Sequence, residues 1–297
     1  ALTLGYRDAL SEDMEQSFRT TGTVHILSVS GLHVGVIYAM IAFLLSFVRR
    51  SSRYHWTRPA LAILLLWLYA YITGLPPSVV RASAMLTVFC AAEIVERKSY
   101  SIHNLYIAAF FMLLYNPFSL FDIGFQLSFL SVLSILYLYP RLSSLISVKN
   151  KYLRAVWRLL ALSLVAQLAT FPLCLYYFGT FPTYFFVANL IVVPLVSFIM
   201  YAFGIALLAK TLAWLLPVWS DYILYVPVHI VKLLVGAMTS VVRSVEQLPF
   251  SLIEDVDMSF TDLVLVSAII LSLIYFSLNK KFTPLVLAMS FILIFIG

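Results

Sequence analysis

Apolar runs suited to crossing a bilayer recur along this entire sequence, at about 24–48, 60–75, 79–95, 105–117, 122–139, 156–178, 183–209, within 212–245, 261–278 and 283–296. A spanning helix takes roughly 20 apolar residues, because about 30 Å of hydrocarbon must be crossed at 1.5 Å per residue. Lipid offers backbone groups no hydrogen-bonding partner, which confines such a chain to helices or a closed barrel. The runs are continuous rather than alternating, which argues against the barrel. The expected fold is an all-α polytopic integral membrane protein. It has about ten transmembrane or partly re-entrant helices, plus an amphipathic helix near 228–245. Only 11% of the 297 residues are charged, against roughly a quarter in a soluble domain. The segments at 60–75 and 105–117 are short, so either could be re-entrant or buried within protein.

Basic residues set the sidedness. Arg49, Arg50, Arg53 and Arg58, then Arg97 and Lys98, then Arg141, Lys149, Lys151 and Arg154 mark three connections as cytoplasmic. The intervening "GLPPS", "NPFSLFD" and "GTFP" contain no Lys or Arg and are placed outside. Lys210 and "NKK" at 279–281 return the chain to the cytoplasm, and the acidic "EQLPFSLIEDVDMS" lies outside. Both ends are therefore expected outside. Loop orientation accounts for a net charge of +6 without invoking a nucleic acid. Residues 1–23 form an extracytoplasmic lead-in and 24–297 one transmembrane domain. The lead-in has neither an initiator Met nor a basic-then-apolar signal pattern, so a longer parent protein is expected. Cys90 and Cys174 fall near opposite membrane faces and read as small core residues rather than a disulfide.

Polar side chains within apolar runs should face protein or water, and ionisable ones are functional candidates by default. In "HILSVSGLHVGV", His33 follows His25 by eight residues, about two helical turns, so both share a face with Ser30. Gly31 and Gly35 have a GxxxG spacing that lets another helix approach closely. Arg81 lies just inside the run after "GLPPS" and Asp122 opens the run after "NPFSL", so both fall near the outer face and can pair. Gln126 lies one turn below Asp122, and Gly124, Ser128 and Ser131 continue a small, polar face along the same helix. Gln167 and Asn189 add polarity in the same half of the membrane. Pro172 and Pro194 lie five residues after them, and each frees a backbone carbonyl. Two readings fit: packing fixed by an ion pair and hydrogen bonds, or the lining of a path. After Pro227, His229, Lys232, Gly236, Ser240 and Arg243 step by three and four along one helical face. That face suits a helix in the headgroup layer or a wet path for an anionic substrate.

The sequence contains no GxxxxGK[ST] loop, no HExxH or HxHxDH motif and no His/Cys/Asp set with metal-ligand spacing. No enzymatic activity, catalytic residue, metal or cofactor is expected of it.

Four stretches, "HILSVSGLHVGV", "ITGLPPSVVRASAM", "NPFSLFDIGFQLSFLSVLSI" and "QLATFPL…FGTFPTYFFVANLIVVP", together resemble the competence domain of the ComEC-type DNA-internalisation proteins of bacteria. The resemblance runs from about Gly5 to Pro194. It implies an inner-membrane channel for single-stranded DNA uptake during natural transformation. Relatives often carry an OB-type domain before this region and a metallo-β-lactamase-like nuclease domain after it, and neither is expected within this stretch. The positions matching the family are His25, Ser30, Gly31, His33, Arg81, Asp122, Gly124, Gln126, Ser128, Gln167 and Asn189. With His229, Lys232 and Arg243 from the basic stripe, the polar members are candidates for the DNA path, and Gly31, Gly35 and Gly124 for helix packing. The expected partners are single-stranded DNA, membrane lipid and other competence proteins, including a cytoplasmic ATP-driven motor or strand-binding protein. A homo-oligomer is compatible with all of this. The basic connections at 49–58 and 141–158 serve as a motor dock or as orientation signals. A small-solute transporter and an assembly component of a DNA-uptake complex are the competing functions.

Overall fold

The computed structural model describes residues 11–27, 29–47, 56–95, 101–215, 220–279 and 282–296. Among them are twelve α-helices: α1 (Glu12–Thr20), α2 (Val24–Leu27), α3 (Gly31–Ser46), α4 (Thr57–Ile72), α5 (Pro77–Ile94), α6 (Ser101–Tyr115), α7 (Ile123–Leu145), α8 (Lys151–Phe178), α9 (Phe185–Leu215), α10 (Ser220–Glu246), α11 (Phe260–Asn279) and α12 (Phe282–Ile296). A 3-10 helix at Pro117–Phe121 leads into α7. Two short strands, β1 (Phe181–Pro182) and β2 (Leu252–Ile253), pair antiparallel between the α8–α9 and α10–α11 connections. The protein is an all-α membrane protein. The apolar runs fall on the helices α2 to α12. Five segments, Pro77–Ile94, Ile123–Leu145, Lys151–Phe178, Phe185–Thr211 and Leu224–Glu246, are long and apolar enough to cross a membrane.

Two expectations are corrected. The first run is not one helix: α2 ends at Leu27, and α3 starts after Ser30, whose extended backbone (φ −101°, ψ 173°) makes it the N-cap. Ser30 supplies local hydrogen-bonding groups that compete with helix continuation. The crossing within 212–245 and the amphipathic helix are one continuous α10, with Pro227 inside it. A proline removes one intrahelical hydrogen bond, and packing on a neighbour can sustain the helix across it. Pro217 lies outside the described residues, as do Arg49, Arg50, Arg53, Arg97, Lys98, Lys280 and Lys281.

α3 stands between two packed cores. Val36 joins Val192, Val196, Ile199 and Met200 of α9 and Met238 and Val242 of α10. Val34 and Ile41 join Ala62, Leu66 and Ala70 of α4 and Val79 and Cys90 of α5. The steps of three and four in α9 place its contributors on one stripe. The lead-in is part of this body: Phe18 of α1 and Ile26 and Leu27 of α2 are buried in the α9–α10 core. The α1–α2 turn is held by a buried Thr21–Thr23 hydroxyl contact at 2.8 Å. At its centre Gly22 has φ +72°, and an added Cβ would come within 2.6 Å of Pro182. α7 and α8 form a second antiparallel hairpin, with α11 and α9 against α8.

Candidate functional site

Several of the polar candidates belong to helix ends. Asp122 is the N-cap of α7, and its Oδ1 accepts from the Phe125 amide at 2.6 Å. The same oxygen lies 3.5 Å from Nη1 of Arg81, which projects from the first turns of α5. Arg81 is only 7% exposed. Its guanidinium lies against Gly124, where a Cβ would meet Nη2 at 3.1 Å and Asp122 Oδ1 at 3.1 Å. Gly124 thus makes room for an ion pair between α5 and α7 rather than for a bare helix crossing. Gln126 extends the cluster, its Nε2 donating to the Leu120 carbonyl at 2.9 Å and its Oε1 accepting from the Tyr177 hydroxyl of α8 at 3.0 Å. One cation, one anion and one amide therefore tie α5, α7, α8 and the 3-10 helix together.

At the start of α3, the Ser30 amide donates to His33 Nδ1 at 3.0 Å, and Ser30 Oγ lies 2.9 Å from the same nitrogen. An Nδ1 that accepts from backbone leaves Nε2 as the protonated nitrogen of the neutral ring. His33 is 0% exposed, and Nε2 is buried without a protein partner. Ser78 of α5 donates to the Val29 carbonyl at 2.5 Å, joining this end to the Arg81 helix. A Cβ added at Gly31 would meet Ala82 of α5 at an ordinary 3.8 Å. Gly35 faces open space, with nothing within 4 Å of an added Cβ. The GxxxG pair therefore does not act as a unit: its first glycine packs and its second does not, because the α3–α5 contact lies at the helix start.

Among the remaining candidates, His25 is close enough to His33 to interact with it electrostatically. His25 is exposed on α2, while Ser128 on α7 and Gln167 on α8 are half-buried. Asn189 lies in the second turn of α9 with its Oδ1 buried and unpartnered. His229 and Lys232 are exposed on α10, whose main packing is on α9 and α1. Arg243 was expected on a path with them, yet it lies 3.8 Å from Asp13 of α1 in a surface ion pair. Burial likewise removes Arg81 and His33 from any open path in this conformation. The basic stripe has its own shape: Leu224, Tyr225, Val228, His229 and Lys232 line an open groove of about 270 Å³. In it the Tyr225 and His229 rings stack at 5.9 Å and 13°.

Sequence reasoning missed three contributors. Ser78 and Tyr177 complete the outer cluster, and Ser134 donates to the Val165 carbonyl at 2.8 Å in the α7–α8 hairpin. Ser78 carried a visible signal, following the prolines that start α5. Partners of Tyr177 and Ser134 depend on helix packing and leave no mark in spacing.

The family model described as Competence protein matches residues 2–281. The chain belongs to the Competence protein family. It is 34% identical over 201 residues to "ComE operon protein 3" of Bacillus subtilis (strain 168), covering 67% of this chain and 24% of that relative. It is 27% identical over 208 residues to "Uncharacterized protein YcaI" of Escherichia coli (strain K12), covering 67% of this chain and 27% of that relative. To "Recombination protein 2" of Haemophilus influenzae it is 26% identical over 209 residues, covering 67% of this chain and 26% of that relative. The chain thus spans about a quarter of the length of these Competence relatives. No solved structure matches it.

Proposed function

We propose that this chain is the membrane-embedded part of a DNA-uptake protein of the bacterial cytoplasmic membrane, and that one DNA strand passes along α10. The reading includes about ten crossings with both ends outside. The carrying observation is the exposed stripe of His229, Lys232, Gly236 and Ser240 on a segment long and apolar enough to span. At 1.5 Å per residue Lys232 lies about 12 Å from Leu224 and about 21 Å from Glu246, well inside a hydrocarbon layer of about 30 Å. A lysine facing lipid at that depth costs about 3 kcal/mol on insertion scales. A water-filled face carrying phosphates removes that penalty, and the exposed Tyr225–His229 stack offers bases a flat surface beside the ammonium. The names "Competence protein", "ComE operon protein 3" and "Recombination protein 2" support the same role.

On this reading the Arg81–Asp122–Gln126 cluster positions helices and does not grip DNA. A strand in transit favours weak, repeated contacts over a tight site. No nucleotide-binding loop occurs in the sequence, so a cytoplasmic motor or strand-binding protein supplies direction. The test uses the full-length protein in transformable cells and compares internalised with surface-bound labelled DNA. The pair His229→Ala and Lys232→Ala is expected to lower internalised strand at least about ten-fold, with surface binding unchanged. Unchanged uptake with normal membrane insertion sinks the α10 path. Burial of Arg81 and His33 favours a second reading, an assembly component beside a separate channel. That reading predicts normal uptake in the pair variant and loss of uptake when the outer cluster is disrupted.

A further inference from the structure

The tip of the α7–α8 hairpin joins a basic cluster to exposed apolar side chains. Between Asp122 and Asp221 the sequence contains no Asp or Glu, while Arg141, Lys149, Lys151, Arg154 and Arg158 all fall at this one end. The tip is rigid: Arg154 donates to the Val148 and Lys149 carbonyls at 2.9 and 3.2 Å, Trp157 donates to Ser143 at 3.1 Å, and Asn150 caps α8. Among the described residues, Lys149, Lys151 and Arg158 are exposed and unpaired by any carboxylate. Interleaved with them are Leu145, 74% exposed, Tyr152, 79% exposed, Ile146 and Leu153.

Helix length fixes the depth. From Phe178 back to Leu159, α8 runs twenty residues, about 30 Å, which fills the hydrocarbon layer and leaves Lys151–Arg158 beyond it. On α7, Arg141 lies about 27 Å from Ile123, at the same level as Arg158. The tip therefore lies in the headgroup layer, presenting cations beside large apolar side chains. A DNA backbone would leave those apolar groups in water, whereas a leaflet takes both kinds of group.

We infer that the tip, residues 141–158, is a binding surface for anionic phospholipid, with Lys149, Lys151 and Arg158 on the headgroup phosphates and Leu145, Ile146, Tyr152 and Leu153 entering the acyl boundary. The inference is independent of the α10 path. The test reconstitutes the full chain, carrying Ser147→Cys labelled with an environment-sensitive fluorophore, into phosphatidylcholine vesicles with and without phosphatidylglycerol. Headgroup-level lipid quenchers should quench the probe more strongly when phosphatidylglycerol is present. The triple variant Lys149→Gln, Lys151→Gln, Arg158→Gln should need about ten-fold more phosphatidylglycerol for the same quenching. Wild-type quenching that ignores lipid charge overturns the inference without any variant. So does an emission shift produced by single-stranded oligonucleotide in pure phosphatidylcholine, which would make the tip a strand-binding surface.

Discussion

The N-terminal ends of α5 and α7 and the exposed face of α10 both bring cations into an apolar bundle, and they do so in opposite ways. Arg81 has a carboxylate at 3.5 Å, a glycine that makes room for it and almost no exposure. Lys232 has an open groove and an aromatic–imidazole stack beside it. A pair with a buried cation answers much of the cost of desolvation within the protein, whereas an exposed mid-helix cation needs something outside it. Arg81 has its anion within the fold although its Nε is buried without a partner, but an exposed mid-helix cation points beyond the chain.

The sharpest way to break that contrast is to reverse one charge. Lys232→Glu in the full-length protein should lower strand uptake about a hundred-fold, since it repels phosphate where the native residue attracts it. Lys232→Arg should keep uptake within about two-fold. Internalised label scored against surface-bound label reads both, and equal loss in the two variants would mean that shape, not charge, matters there.

At the outer cluster the effects belong to stability. Asp122→Asn preserves an N-cap acceptor but leaves the Arg81 guanidinium buried without its anion. The expected loss is about 2 kcal/mol, below the range for fully buried pairs because Asp122 is half exposed. Adding Arg81→Met should recover much of that loss. Denaturation in detergent micelles measures both, and a double variant as unstable as the single would show that the pair is not the relevant unit. Gly124→Val should follow at about 1 kcal/mol, because its branched side chain intrudes on atoms already 3.1 Å from a Cβ.

These sites also mark how far the sequence could be read. The five helices long enough to cross a membrane were legible because hydrocarbon thickness imposes a length that apolar runs report directly. Pairing of Arg81 with Asp122 was legible because sidedness placed both near one face. The break before α3 carried a weaker signal: Ser30 followed three residues later by His33 makes a capping arrangement with imidazole in place of the usual Glu or Gln. Continuity of α10 through Pro227 was hidden, since packing on α9 overrides what proline implies locally. Nothing in residue spacing could reveal that Gln126 meets Tyr177, fifty-one residues away, because that contact is set by which helices become neighbours.

The smallest effect tests whether ion pairs as such hold this domain together. Arg243 and Asp13 are 3.8 Å apart, with side chains 57% and 82% exposed. Water and salt screen such a pair, so Arg243→Gln should change stability by less than about 0.5 kcal/mol. The attachment of α1 rests instead on Phe18, which is 1% exposed in the α9–α10 core. Limited proteolysis at α1 should therefore proceed at the native rate in Arg243→Gln. Accelerated cleavage would mean that the pair latches α1, and its contrast with the buried Arg81 pair would then be one of position rather than of strength.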